Sequence, residues 1–352
     1  MTGESRLVTA ADLKAWVRGV FTRVSVPQDD ADTAADVLVS ANIRGVDGHG
    51  VVRLPVYARR LRAGAINARP DIRVVQAGLA AVLIEGDNGL GVVTGARAMR
   101  EAIWRAREYG AAAVSVRHSN HFGGAAYYAQ MASAADLIGV SFSNTDPGMA
   151  PWGAVAAYLG TNPLAFAAPG GIEGGIVMDM ATSQVSSGKV MLAARAGERI
   201  PFGWATDRAG RPTDDPHVAL NGLMLPLGGY KGYGLALMVE ILCGILSGSE
   251  FGSHTIDDGA EPYRPQDVGH LFVAIDIERF MPLEQFKARM QQMVDEIHAC
   301  QPAEGVSRVY VPGEIEMETA ALRQREGIPL PASVAADLAT LGELVGQPFV
   351  GA

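Results

Sequence analysis

The chain has 352 residues, room for two or three domains of ordinary size. With 48% hydrophobic and 19% charged residues it is too apolar to be a disordered chain. Its net charge of −9, without any basic run, argues against a surface that tracks nucleic acid.

No apolar run reaches the roughly 18–20 residues of a membrane span. The start, MTGESRLVTAADLKAW, lacks the charged end, apolar core and cleavage site of a signal peptide. Cys243 and Cys300 form no disulfide framework and are expected as buried free thiols of a cytoplasmic protein. In chain order, Thr9 and Asp12 resemble a capping box. Leu13, Trp16, Val17, Val20, Phe21 and Val24 then follow at helical spacing. Pro27 and Asp29-Asp30 open a second helix that Gly45 ends. A turn, Val46-Asp47-Gly48-His49-Gly50, precedes a third helix from about Val52 to Ala63, with Val56, Tyr57 and Leu61 expected inside. From about residue 72, strands alternate with helices. IRVVQAG and AAVLIEG read as a strand pair, then a helix from Val92 to Tyr109, then the strand AAAVSV and the loop HSNHFGG. AAYYAQMASAAD is a helix, LIGVSFSN a strand, TDPGMAPWG a loop, LAFAAPG and GIVMDMATS strands, and VSSGKVMLAARAG a helix. Residues 197–229 are loop-rich, Tyr233–Ser247 is an apolar helix, HLFVAIDIERF a strand, and SRVYVPGE a last strand and turn. This order predicts an α/β core with partly parallel pairing. The expected divisions are a helical region over 1–70, an α/β core over 71–330, and a C-terminal helix over 331–352.

Four segments carry the chemistry. His49 and Arg53 are four apart at a helix start and can face the same way. An imidazole moves protons near neutral pH, and a guanidinium holds a carboxylate with two parallel bonds. His118-Ser119-Asn120-His121 follows a buried strand, where α/β sheets place ligand crevices. Asp179, in the apolar strand before Met180-Ala181, must be paired or functional, because burying it alone is costly. Lys231 and Gly232 lie in GGYKGYG before a helix, an arrangement that suits an anionic ligand such as a pyrophosphate. Lysine occurs only four times in the chain, which singles out Lys231 and Lys189 beside their glycines. Neither a Walker A nor a GxGxxG spacing is present, so a Rossmann site is not expected. Two other readings share these residues. Asp47, His49, His118 and His121 could serve a metal-dependent hydrolase or lyase, although for a metal on the His118/His121 pair no obvious third and fourth ligand stands out. A non-catalytic dinucleotide- or acid-binding protein is the second.

Taken together, RGVDGHGVVRLPVY, SNHFG, TNPLAFAAP, MDMATSQVSSGK, PLGGYKGYGLALMVEIL and VYVPGE have the order and spacing typical of the malate/L-lactate dehydrogenase family, and the chain resembles it over roughly residues 8–345. That family also includes ureidoglycolate, sulfolactate and diketogulonate dehydrogenases and cyclic-imine reductases, and is unrelated to the Rossmann lactate dehydrogenases. The resemblance implies a homodimeric oxidoreductase with a non-Rossmann, three-layer α/β/α fold around a mixed sheet. It implies NAD or NADP as cofactor, with a slight preference for NAD, no resident metal, and a small 2-hydroxy acid as substrate. His49 and His121 resemble the proton-handling pair, and Arg53 the ligand of the substrate carboxylate. Thr145, Asp179, Met180, Ala181, Lys231, Gly232, Gly313 and Glu314 resemble cofactor contacts. One departure stands out: the family turn usually reads D-S-H-G, and here Gly48 replaces the serine.

Overall fold

The computed structural model describes residues 6–257, 259, 261 and 263–349. The chain opens with β1 (Arg6–Val8), α1 (Ala10–Arg23) and α2 (Gln28–Ile43). The Thr9 hydroxyl accepts the Asp12 N–H at 3.1 Å, as the capping-box spacing predicts. Leu13, Trp16, Val17, Val20 and Phe21 are buried. After Gly45 the chain makes two single 3₁₀ turns, Asp47–His49 and Val51–Arg53, before α3 (Leu54–Arg62). The third helix therefore starts later than expected, with Pro55 in its first turn, and Leu54 rather than Val56 fills the core. Both ends of the chain share one apolar core. β1 pairs antiparallel with the strand Ile328–Leu330, and Leu338, Leu341 and Phe349 pack among the first helices.

The central layer follows: β2 (Arg73–Ala77), β3 (Ala81–Glu85), α4 (Gly91–Tyr109), β4 (Ala111–Ser119), α5 (Ala126–Ala134), β5 (Leu137–Ser143), β6 (Leu164–Ala168) and β7 (Ile176–Met180). A smaller lobe holds α6 (Ser187–Ala196), a three-stranded sheet of β8 (Ala205–Thr206), β9 (Pro212–Thr213) and β10 (Leu223–Met224), and α7 (Pro216–Leu220). α8 (Tyr230–Glu240) runs into a π-helical turn, Ile241–Ile245. The chain ends with β11 (Val268–Asp276), α9 (Leu283–His298), α10 (Glu314–Glu326), β12 (Ile328–Leu330) and α11 (Ala332–Val345). The seven-stranded sheet has the order β2-β3-β4-β11-β5-β6-β7. Only β3 and β4 are parallel neighbours. The sheet is mixed, flanked by helices, as expected.

Three local expectations differ. SRVYVPGE forms no strand: Pro312 accepts a single backbone bond from Val177 N at 3.0 Å, and the Val311 N–H is taken by the Glu314 carboxylate. α8 begins at Tyr230, three residues early, because Gly229 at φ 68° turns the chain directly into the helix. Cys243 is buried, but Cys300 is exposed just beyond α9.

Candidate active site

β4, β5 and β7 run in the same direction and finish on one edge of the sheet. Ser119 is paired with Val268, Ser143 with His270, and Met180 with Leu164. The residues at these three ends include Asn120-His121, Asn144-Thr145 and Asp179-Met180-Ala181. Behind them lies His270, fully buried on β11. Its Nε2 is 2.9 Å from Ser119 Oγ and its Nδ1 2.9 Å from Ser143 Oγ. Burial pushes His270 down to about 3, so it is a neutral strap across the strand ends.

His121 stands in front of this strap, with its ring parallel to that of His49 at a centroid distance of 5.8 Å. Both residues are half-buried. Burial, followed by the nearby Arg53 cation, pushes His49 down to about 4 and His121 well below its ordinary value. Both imidazoles are therefore neutral near pH 7. The tautomer of His121 follows from its partners. Gly123 N–H points at Nδ1 at 3.3 Å and can only donate, so Nδ1 carries the lone pair. The Tyr57 hydroxyl, 2.5 Å from the same nitrogen, donates as well. Nε2 then carries the hydrogen. Among the described residues, no group hydrogen-bonds the ring nitrogens of His49. The site thus offers one N–H donor and one open imidazole beside a guanidinium.

The turn that bears His49 is shaped by close approach. A Cβ on Gly50 would lie 2.2 Å from Asn42 Oδ1, so only glycine fits. Gly48 differs: a Cβ there would meet nothing within 4 Å, so the missing serine side chain leaves open space. The metal-site quartet comes apart. The Asp47 carboxylate is held by Arg323 at 2.7 and 3.0 Å and by Asn42 at 2.7 Å. His118 bonds Glu85 at 2.8 Å. Among the described residues, no three His, Cys, Asp or Glu side chains converge as ligands would.

Hydrogen bonds tie some of the cofactor candidates together, in a seam from Thr145 by way of Thr182 to Gly232. Thr145 N–H donates to Asn162 Oδ1 at 3.1 Å. Thr182, just after Ala181, donates to Thr161 O at 2.9 Å and accepts from Leu227 N at 2.9 Å. Leu227 O accepts from Gly232 N at 2.8 Å. A Cβ on Gly232 would be 2.3 Å from Leu227 O, so this seam needs glycine. Lys231 is exposed in the first turn of α8, whose start no side chain caps. A lysine and an uncapped helix start fit the chemistry of a diphosphate. Asp179 accepts Ala126 N–H at 2.9 Å. The carboxylate is open to solvent on its outer face, but the protein packed behind it pushes its carboxyl up to about 6, with Arg44 pulling the other way. Gly313, at φ 98°, packs against β7. The Glu314 side chain is engaged within its own turn, accepting from Val311 N at 2.7 Å and lying 3.1 Å from His298 Nε2.

Several supporting residues escape sequence reasoning. Tyr57 was expected only as core, yet His49, Arg53 and Tyr57 recur every four residues, a helical spacing that could have revealed it. Gln266 accepts the His121 N–H at 2.7 Å from a loop 145 residues away. Arg60, 1% exposed, donates to Glu261 O at 3.0 Å, Arg264 O at 2.8 Å and Asn120 Oδ1 at 3.3 Å. Nothing local in the sequence marks either one.

Comparison with known proteins gives a consistent result. Residues 8–339 match the model of the malate/L-lactate dehydrogenase family. L-sulfolactate dehydrogenase of Methanocaldococcus jannaschii is 42% identical over 90% of this chain and 91% of its own length. Malate dehydrogenase of Pyrococcus horikoshii is 42% identical over 95% and 94%. A solved structure of the M. jannaschii sulfolactate dehydrogenase matches with a TM-score of 0.91, covering 97% of this chain and 98% of that one at 39% identity. Two further relatives name different cofactors. The ureidoglycolate dehydrogenase (NAD(+)) of Escherichia coli K12 is 36% identical over 87% of each chain. The (2R)-3-sulfolactate dehydrogenase (NADP(+)) of Chromohalobacter salexigens is 38% identical over 83% of this chain and 88% of its own. By this match over nearly its whole length, the chain belongs to the malate/L-lactate dehydrogenase family and is an NAD(P)-dependent 2-hydroxyacid dehydrogenase.

Proposed function

We propose that this enzyme interconverts a small 2-hydroxy acid of malate or lactate type and its 2-oxo acid, in the cleft between the His49–Arg53 turn and the ends of β4, β5 and β7. The observation that carries this reading is the parallel His49–His121 pair with Arg53 close enough to depress both. Arg53 grips the C1 carboxylate. His121, held as the Nε2–H tautomer, donates a hydrogen bond to the C2 oxygen. His49, with its lone pair open to the cleft, takes the hydroxyl proton on oxidation and returns it on reduction. The nicotinamide supplies or receives the hydride. Thr145, Asp179, Met180, Ala181, Lys231, Gly232, Gly313 and Glu314 are the residues that hold the dinucleotide.

The substrate is tested by a spectrophotometric screen of oxaloacetate, sulfopyruvate, pyruvate and cyclic imines with NADH and NADPH side by side, and of ureidoglycolate, as the hydride donor, with NAD+ and NADP+. Turnover of cyclic imines alone overturns the 2-oxo acid reading. Gly48→Ser is expected to fold as well as the parent, since its side chain enters open space. Surface changes of this kind fall within about 0.5 kcal/mol. It should change the ranking of kcat/KM across the same screen; an unchanged ranking places residue 48 away from substrate.

Lys231→Ala is expected to weaken NADH binding by about 1.5–3 kcal/mol, the range for a hydrogen bond to a charged group. The exposure of the lysine places the loss toward the lower end and makes it shrink at high salt. Fluorescence titration of NADH reads this directly, and equal dissociation constants would move the diphosphate elsewhere.

We also propose an intracellular homodimer. Leu237, Met238, Ile241 and Ile245 lie along one side of α8 and its π-helical turn, each more than a third exposed. An apolar stripe of that length suits a second copy of the chain. Free Cys243 and Cys300 suit a reducing compartment. Light scattering on the purified protein tests the dimer.

A further inference from the structure

We propose that Arg323 is the positioning residue of the catalytic turn: from α10 it clamps Asp47 and Asn42, and through them sets where His49 and Arg53 stand. This rests on the reading of His49 and Arg53 as the substrate-side groups.

The turn has little strength of its own. His49 and Arg53 sit on two three-residue 3₁₀ segments, each closed by bonds such as His49 N to Val46 O at 3.0 Å and Arg53 N to Gly50 O at 3.0 Å. Short 3₁₀ turns have poor hydrogen-bond geometry and are not self-stabilising. Catalytic side chains nevertheless need placement to within about 0.5 Å. The missing rigidity comes from outside the turn.

Asn42, at the end of α2 and 2% exposed, uses both ends of its amide. Its Oδ1 accepts Val51 N–H at 2.8 Å, and its Nδ2 donates to Asp47 Oδ1 at 2.7 Å. Arg323 then closes the arrangement. Nη1 and Nη2 donate in parallel to the two Asp47 oxygens at 2.7 and 3.0 Å, and Nη1 also reaches the Asn42 carbonyl. Such a planar fork fixes direction as well as distance, which a lysine cannot do. The Arg323 side chain is 14% exposed and that of Asp47 45%, so the fork is shielded on the arginine side and open to water on the carboxylate side. The other end of α10 is anchored too, because the turn before it bonds β7 through Pro312 O and Val177 N at 3.0 Å. α10 is therefore a strut, about 20 Å long at 1.5 Å per residue. It runs from the strand that carries Asp179 to the turn that carries His49.

The test compares Arg323→Ala, Arg323→Lys, Asp47→Asn and the Arg323→Ala/Asp47→Asn double variant. Three readings are taken: kcat/KM for the 2-oxo acid, NADH affinity, and the His49 Cε1–H NMR signal, assigned by its loss in His49→Asn. Misplacing reactive groups by about 1 Å costs on the order of 10²-fold. Arg323→Ala and Arg323→Lys should each lose kcat/KM on that scale with NADH affinity within twofold. The His49 signal should shift or broaden in both. Added guanidinium ion should restore activity and signal in Arg323→Ala but not in Arg323→Lys. The double variant should lose no more than the worse single one, because both remove the same clamp. Arg323→Lys keeps bulk and charge and decides the matter if Arg323→Ala does not fold. Wild-type kcat/KM with an unmoved His49 signal overturns the proposal, as do losses that multiply in the double variant. If His49→Asn itself keeps normal turnover, the site assignment fails instead, and the NMR signal still reports on Arg323.

Discussion

His49→Asn is expected to slow turnover by roughly 10²–10⁴-fold, the usual cost of a lost acid–base group, in a protein that still folds and binds NADH. Asparagine keeps a hydrogen-bonding side chain but cannot take the substrate proton. The pH dependence gives the sharper test. His49 must be neutral to act as base, and in the free enzyme burial and then Arg53 push it down to about 4. Oxidation measured as kcat/KM should therefore be level above about pH 5 and fall as pH drops through 4. The bound substrate places a carboxylate against Arg53 and cancels part of its repulsion. The acid limb of kcat, which reports the complex, should then lie at higher pH than that of kcat/KM. Reduction needs the protonated form and should slow as pH rises. In His49→Asn the acid limb of the residual oxidation should vanish. His121→Asn should lose rate on a similar scale but keep the limb, because His121 acts as an N–H donor rather than as the base. A limb that persists in His49→Asn and disappears in His121→Asn would exchange the two roles.

Arg53→Lys is expected to raise the KM for the 2-oxo acid and lower kcat/KM by roughly 30-fold or more, with NADH affinity unchanged. Breaking one partner of a desolvated, hydrogen-bonded charge pair costs about 2–5 kcal/mol, and lysine restores charge without the two-bond grip. Steady-state kinetics with both reactants varied separates the two effects. Loss of NADH affinity with an unchanged substrate KM would place Arg53 on the cofactor.

Much of this was legible before the fold was known, and the limits have physical causes. The strands whose ends carry His121, Thr145 and Asp179 are apolar runs with clear turn signals, so their positions along the chain could be read directly. Their convergence on one edge could not, because β11, more than a hundred residues later, inserts between β4 and β5. The pairing of His49 with Arg53 follows from local spacing, and the same spacing reaches Tyr57. Gln266, Arg60 and Arg323 act across 145, 201 and 276 residues, and no periodicity links groups so far apart. SRVYVPGE has strand composition, but a proline and a carboxylate that captures a backbone N–H keep it from pairing. Cys300 sits in an apolar context by sequence and is exposed by its place just past the end of α9.

The most direct measurement follows the hydride itself. Purified enzyme, NADH deuterated at the C4 position in either face, and oxaloacetate or sulfopyruvate are incubated together, and the product is analysed by NMR. The expected result is a 2-hydroxy acid with deuterium at C2 from one face only, formed by the parent at full rate, by His49→Asn at a small fraction of it, and unaffected by a chelator. A 2-hydroxy acid without C2 deuterium from either cofactor face, or turnover that a chelator abolishes, contradicts hydride transfer at the histidine pair.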